Sequence, residues 1–192
     1  MKALLINGSP RKNGNTSQAL KIVGEQLQKH QIDVKYIQLG GINIKGCQAC
    51  QTCLKQQNQQ CIIQDDLTQI MVECFSQSTN AIIIGSPTYF SNVTSETKAF
   101  IDRVGYVSKC NHGLLKNKIG APIVIDRRAG ANFVYAAINF FYGINEMPIA
   151  TSSYWNSCKA RKINELVLDK EGIDTLQVLG NNLVKLMQAL NK

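Results

Sequence analysis

KALLINGSPRKNGNTSQALKIVGEQLQKHQIDVKYIQL, residues 2–39, passes from an apolar run through a glycine-bearing loop into a helical repeat and back to an extended run. Lys2 to Asn7 is strand-length and apolar with a polar end, and Gly8-Ser9-Pro10 is a strong turn signal that stops it. From Thr16, the residues Ala19, Leu20, Val23 and Leu27 recur at helical spacing, which predicts a helix to about His30. Asp33 to Leu39 then reads as a second strand, with Val34, Tyr36 and Gln38 alternating against Lys35 and Ile37. Strand, loop, helix and strand make one βαβ unit.

The same alternation continues outward. Asp65-Asp66 is placed to cap a helix carrying Leu67, Ile70, Met71, Cys74 and Phe75, and Ala81 to Ile84 is a third buried strand. Ser86 to Val93 is a loop, and Ser95 begins a helix through Ala99, Phe100, Ile101 and Val104. Ala121 to Ile125 is a fourth strand, followed by a turn and an apolar helix through Tyr135, Ile138 and Phe141. Leu176, Leu179, Leu183, Leu186 and Leu190 mark one face of a last helix from Gly172. Strands apolar throughout, alternating with helices, argue for a parallel sheet covered on both faces. Thr151 to Asp169 carries no clear periodicity.

With 192 residues the chain suits one domain with a substantial core. Hydrophobic residues make up 44% and charged residues 18%, an ordinary globular balance without a membrane-length apolar run. The apolar stretch after Lys2 is too short for a secretory signal, so a cytoplasmic, reducing setting is expected. There, clustered thiols act as metal ligands or redox groups more often than as structural disulfides. The net charge is +8, but the basic residues are scattered and match no nucleic-acid recognition motif. The run Lys159-Ala160-Arg161-Lys162 reads as a solvated patch. Neither a nucleic-acid nor a membrane partner is expected.

The loop from Gly8 to Ser17 lies where a doubly wound sheet binds ligands, beyond the carboxyl end of a strand and before a helix. Its hydroxyls (Ser9, Thr16, Ser17), the Arg11 cation and the helix N-terminus would suit a phosphate. It is not a nucleotide-triphosphate loop, because Asn15 stands where the phosphate lysine belongs, and it is not a dinucleotide fingerprint.

Gly8-Ser9-Pro10-Arg11, Asn13-Gly14-Asn15-Thr16-Ser17, Gly85-Ser86-Pro87-Thr88-Tyr89-Phe90 and Lys98-Ala99-Phe100-Ile101-Asp102-Arg103 together resemble the NAD(P)H-dependent FMN reductase group of flavodoxin-like proteins. The resemblance implies a flavodoxin-like doubly wound sandwich, residues 1–192, with a five-stranded parallel sheet and helices on both faces. It implies FMN with its phosphate in the loop of Ser9, Arg11, Asn13, Asn15, Thr16 and Ser17, and with Pro87, Thr88, Tyr89 and Phe90 along the ring edge. A third flavin loop would follow the fourth strand. Here that loop is Asp126-Arg127-Arg128-Ala129-Gly130-Ala131, poorer in glycine than the family pattern, with Arg127 and Gly130 as its contacts. NAD(P)H as electron donor, a small-molecule or protein acceptor, and a homodimer or homotetramer also follow from the resemblance. A non-enzymatic FMN electron carrier, or a thiol or metal redox sensor on the same scaffold, are the competing readings.

Cys47, Cys50, Cys53 and Cys61 crowd four of the seven cysteines into a loop at about 45–64. Their spacing, C-x2-C-x2-C-x7-C, can wrap one compact object, and the first three cysteines match a ferredoxin run while the fourth does not. A [4Fe–4S] cluster, zinc, and free or disulfide-forming thiols remain open. The position of this motif also resembles the iron-sulfur flavoproteins, which implies the cluster and electron exchange between it and FMN. Cys74, Cys110 and Cys158 are set apart from this group, with Cys74 read as a core residue; His30 and His112 are read as solvated.

Overall fold

The computed structural model describes residues 1–190. Five strands, β1 (Lys2–Asn7), β2 (Asp33–Gln38), β3 (Thr79–Pro87), β4 (Ile119–Asp126) and β5 (Ser157–Lys159), form one sheet in the order β2-β1-β3-β4-β5. Every pairing is parallel. The order reverses between β1 and β3, so the loops after those two strands diverge and leave a crevice at their carboxyl ends. This is the flavodoxin-like α/β arrangement expected from the sequence.

Helices cover both faces. On one, α1 (Asn15–Lys29) and α6 (Lys170–Leu190) pack with Leu5, Ile83, Ile123 and Leu179 into a core. On the other, α2 (Thr52–Gln56), α3 (Leu67–Phe75), α4 (Ser95–Cys110) and α5 (Ala131–Ile144) enclose Leu4, Ile82, Phe100 and Phe141. Cys74 belongs to this second core and is wholly buried. No helix among the described residues is long and apolar enough to cross a membrane.

Three details depart from the sequence reading. Strand β2 buries Ile37, with Leu39 just beyond it, and leaves Tyr36 exposed, an in-and-out pattern that the alternation alone did not assign. Val34 packs on the opposite face, against the core under α1, so apolar residues of this edge strand serve both faces. Helix α3 has Asp66 at its N-cap without a capping bond from that side chain; Asp65 Oδ1 accepts from the Leu67 N–H at 3.1 Å instead. The fifth strand is three residues long, inside the segment that showed no period.

Tyr142 reaches from α5 into the sheet. Its hydroxyl accepts from the Ile84 N–H at 3.1 Å and lies 3.0 Å from the carbonyl oxygens of Ile82 and Ala121. Gly120 leaves the room for this, since a Cβ there would meet the Tyr142 ring at 2.5 Å.

Candidate functional site

Backbone bonds between the first two loops build the site from below. The Gly8 N–H donates to the Gly85 carbonyl at 2.8 Å, and the Thr94 hydroxyl donates to the Gly8 carbonyl at 2.6 Å. A Cβ on Gly8 would fall 1.9 Å from Thr97 Oγ1, so only glycine allows this approach. Ser9 is fixed on both sides: its N–H donates to Asn7 Oδ1, and its Oγ accepts from the Arg11 N–H at 3.1 Å. Helix α1 then opens at Gly14 with no side-chain cap, leaving its first N–H groups aimed at the crevice.

A cleft of about 270 Å³ occupies the crevice. Of the residues proposed from sequence, Ser9, Arg11, Asn15, Thr16, Pro87, Thr88, Tyr89 and Arg127 line it. Asn13, Ser17, Phe90 and Gly130 do not. Ser17 is buried and donates to the Gly14 carbonyl at 3.1 Å. Asn13 is exposed. Gly14, Ile125, Ala160 and Arg161 complete the wall and were not found in the sequence, because the last two come from the segment without periodicity. Three arginines line the cleft and no carboxylate does.

Asn15 has a second task. Its amide donates to the Lys162 carbonyl at 2.8 Å and its Oδ1 accepts from the Leu166 N–H at 3.4 Å, tying the start of α1 to the segment after β5. Lys159 Nζ is 2.8 Å from the buried Asp126 carboxylate, which holds β5 against the end of β4.

The second loop ends in a tight reversal. Tyr89 and Asn92 exchange backbone hydrogen bonds of 2.9 and 3.0 Å, and the two residues between them, Phe90 and Ser91, have φ of +47° and +57°. Positive φ at both central positions is the pattern of a type I′ turn, which glycine and asparagine normally fill. Phe90 is here fully exposed, at 107% of its reference area. A bulky side chain in the left-handed region stores strain, and such residues gather at functional sites. Gly130, with φ +92°, supports the tip: a Cβ there would lie 3.1 Å from Ser91 Cα.

Thr88 lines the cleft, and its buried Oγ1 has no hydrogen-bond partner among the described residues. An orphan hydroxyl, an uncapped helix N-terminus and three arginines suit a ligand that carries both a phosphate and a polar ring edge. A family model described as NADPH-dependent FMN reductase matches residues 1–162. The chain belongs to that family. An iron-sulfur flavoprotein of Archaeoglobus fulgidus is 30% identical over 98% of this chain and 96% of its own length. An iron-sulfur flavoprotein of Methanocaldococcus jannaschii is 28% identical over 98% of both chains. In three dimensions a flavodoxin from the domain Archaea superposes with a TM-score of 0.61 over the whole of both chains at 16% identity, a likeness of fold. As an FMN reductase family member, this chain is a flavin oxidoreductase of flavodoxin-like fold, and the cleft's chemistry fits FMN.

The cysteine loop leaves the same end of the sheet, after β2. Cys47, Cys50, Cys53 and Cys61 line one small cavity of about 20 Å³, room for roughly one water. Cys47 and Cys50 are exposed, Cys53 is buried and Cys61 half-buried. Among the described residues, no three His, Cys, Asp or Glu side chains are already drawn together as metal ligands. The Thr52 hydroxyl, 3.4 Å from Cys50 Sγ, lowers the Cys50 thiol below its ordinary range. Burial pushes Cys53 up to about 11, and the adjacent Cys110 thiol adds to the effect. Cys110 is therefore not apart from the group, as its distance along the chain suggested. Helix α4 carries it back to the loop.

Arg103 closes the stem of that loop. Its Nη1 donates to the Lys45 carbonyl at 3.0 Å and to Asp65 Oδ2 at 2.5 Å, while Nη2 donates to the Ile63 carbonyl at 2.9 Å. Asp65 Oδ2 also accepts from the Lys45 N–H, and Asp66 Oδ2 from the Asn43 N–H. Both ends of the cysteine segment are thus anchored to one guanidinium and two carboxylates. The far side is held by the Gln59 N–H donating to Asn111 Oδ1 at 2.8 Å.

Proposed function

We propose that this flavin oxidoreductase oxidises NAD(P)H with FMN held in the cleft, and that its cysteine loop holds a [4Fe–4S] cluster through Cys47, Cys50, Cys53 and Cys61. The observation that carries the flavin half is the cleft beside the β1–β3 reversal, cationic and hydroxyl-lined, with Thr88 Oγ1 unpartnered. Its residues divide by chemistry. Ser9, Thr16 and the N–H groups opening α1 take the phosphate, with Arg11, Arg127 and Arg161 neutralising its charge. Thr88 supplies a hydroxyl to the polar edge of the ring. Pro87, Tyr89 and Ile125 form its apolar support and exclude water from it.

FMN, when bound, accepts a hydride and releases electrons singly, so the chain needs to bind, orient and shield rather than to supply an acid or base. For the loop, four soft sulfur donors around one cavity match the ligand chemistry of iron–sulfur centres. The two exposed thiols, Cys47 and Cys50, are the ones free to reorient around a larger guest. Curated relatives bear the name iron-sulfur flavoprotein, which supports the same reading. A cytoplasmic, homo-oligomeric protein that hands electrons to a small-molecule or protein acceptor completes it.

Protein purified without oxygen tests both halves. About one FMN with about four iron and four sulfide per chain is expected, and NADPH or NADH added anaerobically should bleach the flavin promptly. FMN without bleaching by either nucleotide would reduce the protein to an electron carrier. FMN without iron would leave the loop a set of thiols.

A further inference from the structure

Helix α4 turns one stripe toward the cysteine loop. Arg103, Tyr106 and Val107 line the cavity of the four thiols. Cys110 follows three residues after Val107 and four after Tyr106, the spacing that keeps side chains on one helical face. It sits in the last turn of α4, 8% exposed, in the same packed core as Cys53, which is also 8% exposed. Helices α2 and α4 approach within 8 Å, Cα to Cα. Cys110 is near enough to Cys53 to raise its thiol, and the Tyr106 hydroxyl is near Cys110 in turn. Both are free cysteines in this structure.

The other thiols are placed differently. Cys47 and Cys50 point to solvent, and Cys61 faces the Arg103 guanidinium. Cys53 is the one of the four that is buried. We propose that Cys53 and Cys110 are a reversible dithiol–disulfide pair, which closes when the loop is without its metal group and a low-molecular-weight disulfide is present. In the reaction two S–H bonds break and the Cys53–Cys110 S–S bond forms. The two electrons and two protons pass to the small disulfide, which leaves as two thiols. Once closed, Cys53 is withdrawn from the ligand set and α2 is stapled to α4, so metal cannot be rebound until a thiol reductant reopens the bond. The rebinding consequence rests on the loop's being a metal site; the pairing itself does not.

The test begins with full-length protein purified anoxically, its iron and FMN counted. Iron is then removed with a chelator, the protein is incubated with oxidised glutathione, free thiols are alkylated, and the digest is mapped by mass spectrometry. A peptide joining Cys53 to Cys110, lost on reduction, is the expected result. Bonds confined to Cys47, Cys50, Cys53 and Cys61, or glutathione adducts alone, would overturn the proposal. Cys110→Ser should match the wild type in iron content as purified, and after oxidation should regain iron without the reductant that the wild type requires. Loss of iron in fresh Cys110→Ser protein would make Cys110 a ligand and overturn the pairing. A low first iron count would sink the cluster reading alone, because the disulfide map is read independently of it.

Discussion

Arg103 and Asp65 form an ion pair whose side chains are both wholly buried, with Nη1 2.5 Å from Oδ2. It joins α4 to the stem of the cysteine loop, and the backbone carbonyls of Lys45 and Ile63 share the same guanidinium. Breaking one partner of a buried pair leaves an uncompensated charge, at a cost of about 3–5 kcal/mol. Arg103→Met should lower the melting temperature by about 10 °C and open residues 45–64 to limited proteolysis. An unchanged digestion pattern would show that the loop is held by something else.

The same pair sets an acid limit. Burial opposes ionisation of Asp65, but the Arg103 guanidinium and the N–H groups of Lys45 and Leu67 outweigh it and hold the carboxyl below its ordinary range. A carboxylate depressed in the folded state stabilises fully above its unfolded pKa of about 3.9. That contribution is lost as pH falls through the lower folded value. Glu73, held down by Lys2 and Lys35, adds to it with the same sign. Stability should therefore be flat from neutrality to about pH 5 and fall steeply below about pH 4. Asp65→Asn should show a shallower acid limb in a series of denaturation curves.

Thr88 offers a cleaner probe of the cleft. Its hydroxyl is buried and unpartnered among the described residues, so Thr88→Val removes no hydrogen bond seen there. Thermal stability without flavin should be unchanged or slightly higher, while FMN affinity should fall about tenfold, the worth of roughly one hydrogen bond. Equal affinity in a fluorescence titration would place the flavin's polar edge elsewhere.

Arg127 and Arg161 separate phosphate from ring. If their charge serves the phosphate, changing both to Gln should weaken FMN binding at least tenfold and make it less sensitive to salt. Riboflavin, which lacks the phosphate, should bind the variant and the wild type alike. Parallel losses for both ligands would move these arginines to the ring.

Phe90 carries the turn strain. Replacing it with Asn, which tolerates φ near +50°, should stabilise the flavin-free protein by about 1 kcal/mol. A melting temperature that falls instead would mean that the exposed ring is packed against something in solution. Weaker FMN binding alongside higher stability would show that the strain holds an aromatic cover over the flavin.

Most of the sheet was readable because its strands are buried on both faces and so apolar throughout, as in Ala81 to Ile84. The edge strand β2 was readable in place but not in phase, since Val34 serves one face and Ile37 the other. In the cleft, the hydroxyls and Arg11 announced themselves by lying together in the first loop. Ala160 and Arg161 could not, because β5 is too short for a period and gains its position from contacts distant in sequence, with β4, Asp126 and Asp169. Cys110 was missed for a related reason: helical spacing returns it to the cysteine loop, whereas chain distance separates them. Arg103 and Asp65 were both within recognised segments, yet their pairing is a contact between elements that no local pattern encodes.

Asn15 joins the first turn of α1 to Lys162 and Leu166, and α6 covers the far side of the same helix. Ala160 and Arg161, in one wall of the proposed flavin cleft, leave the ribosome after all the other residues that line it. A nascent chain can form the β1 loop, the Tyr89 turn and most of the sheet while the cleft still lacks one wall. FMN held in the proposed cleft would have to wait for the segment from Ser157 onward, so an incomplete chain would be denied the cofactor even with its first loop already folded.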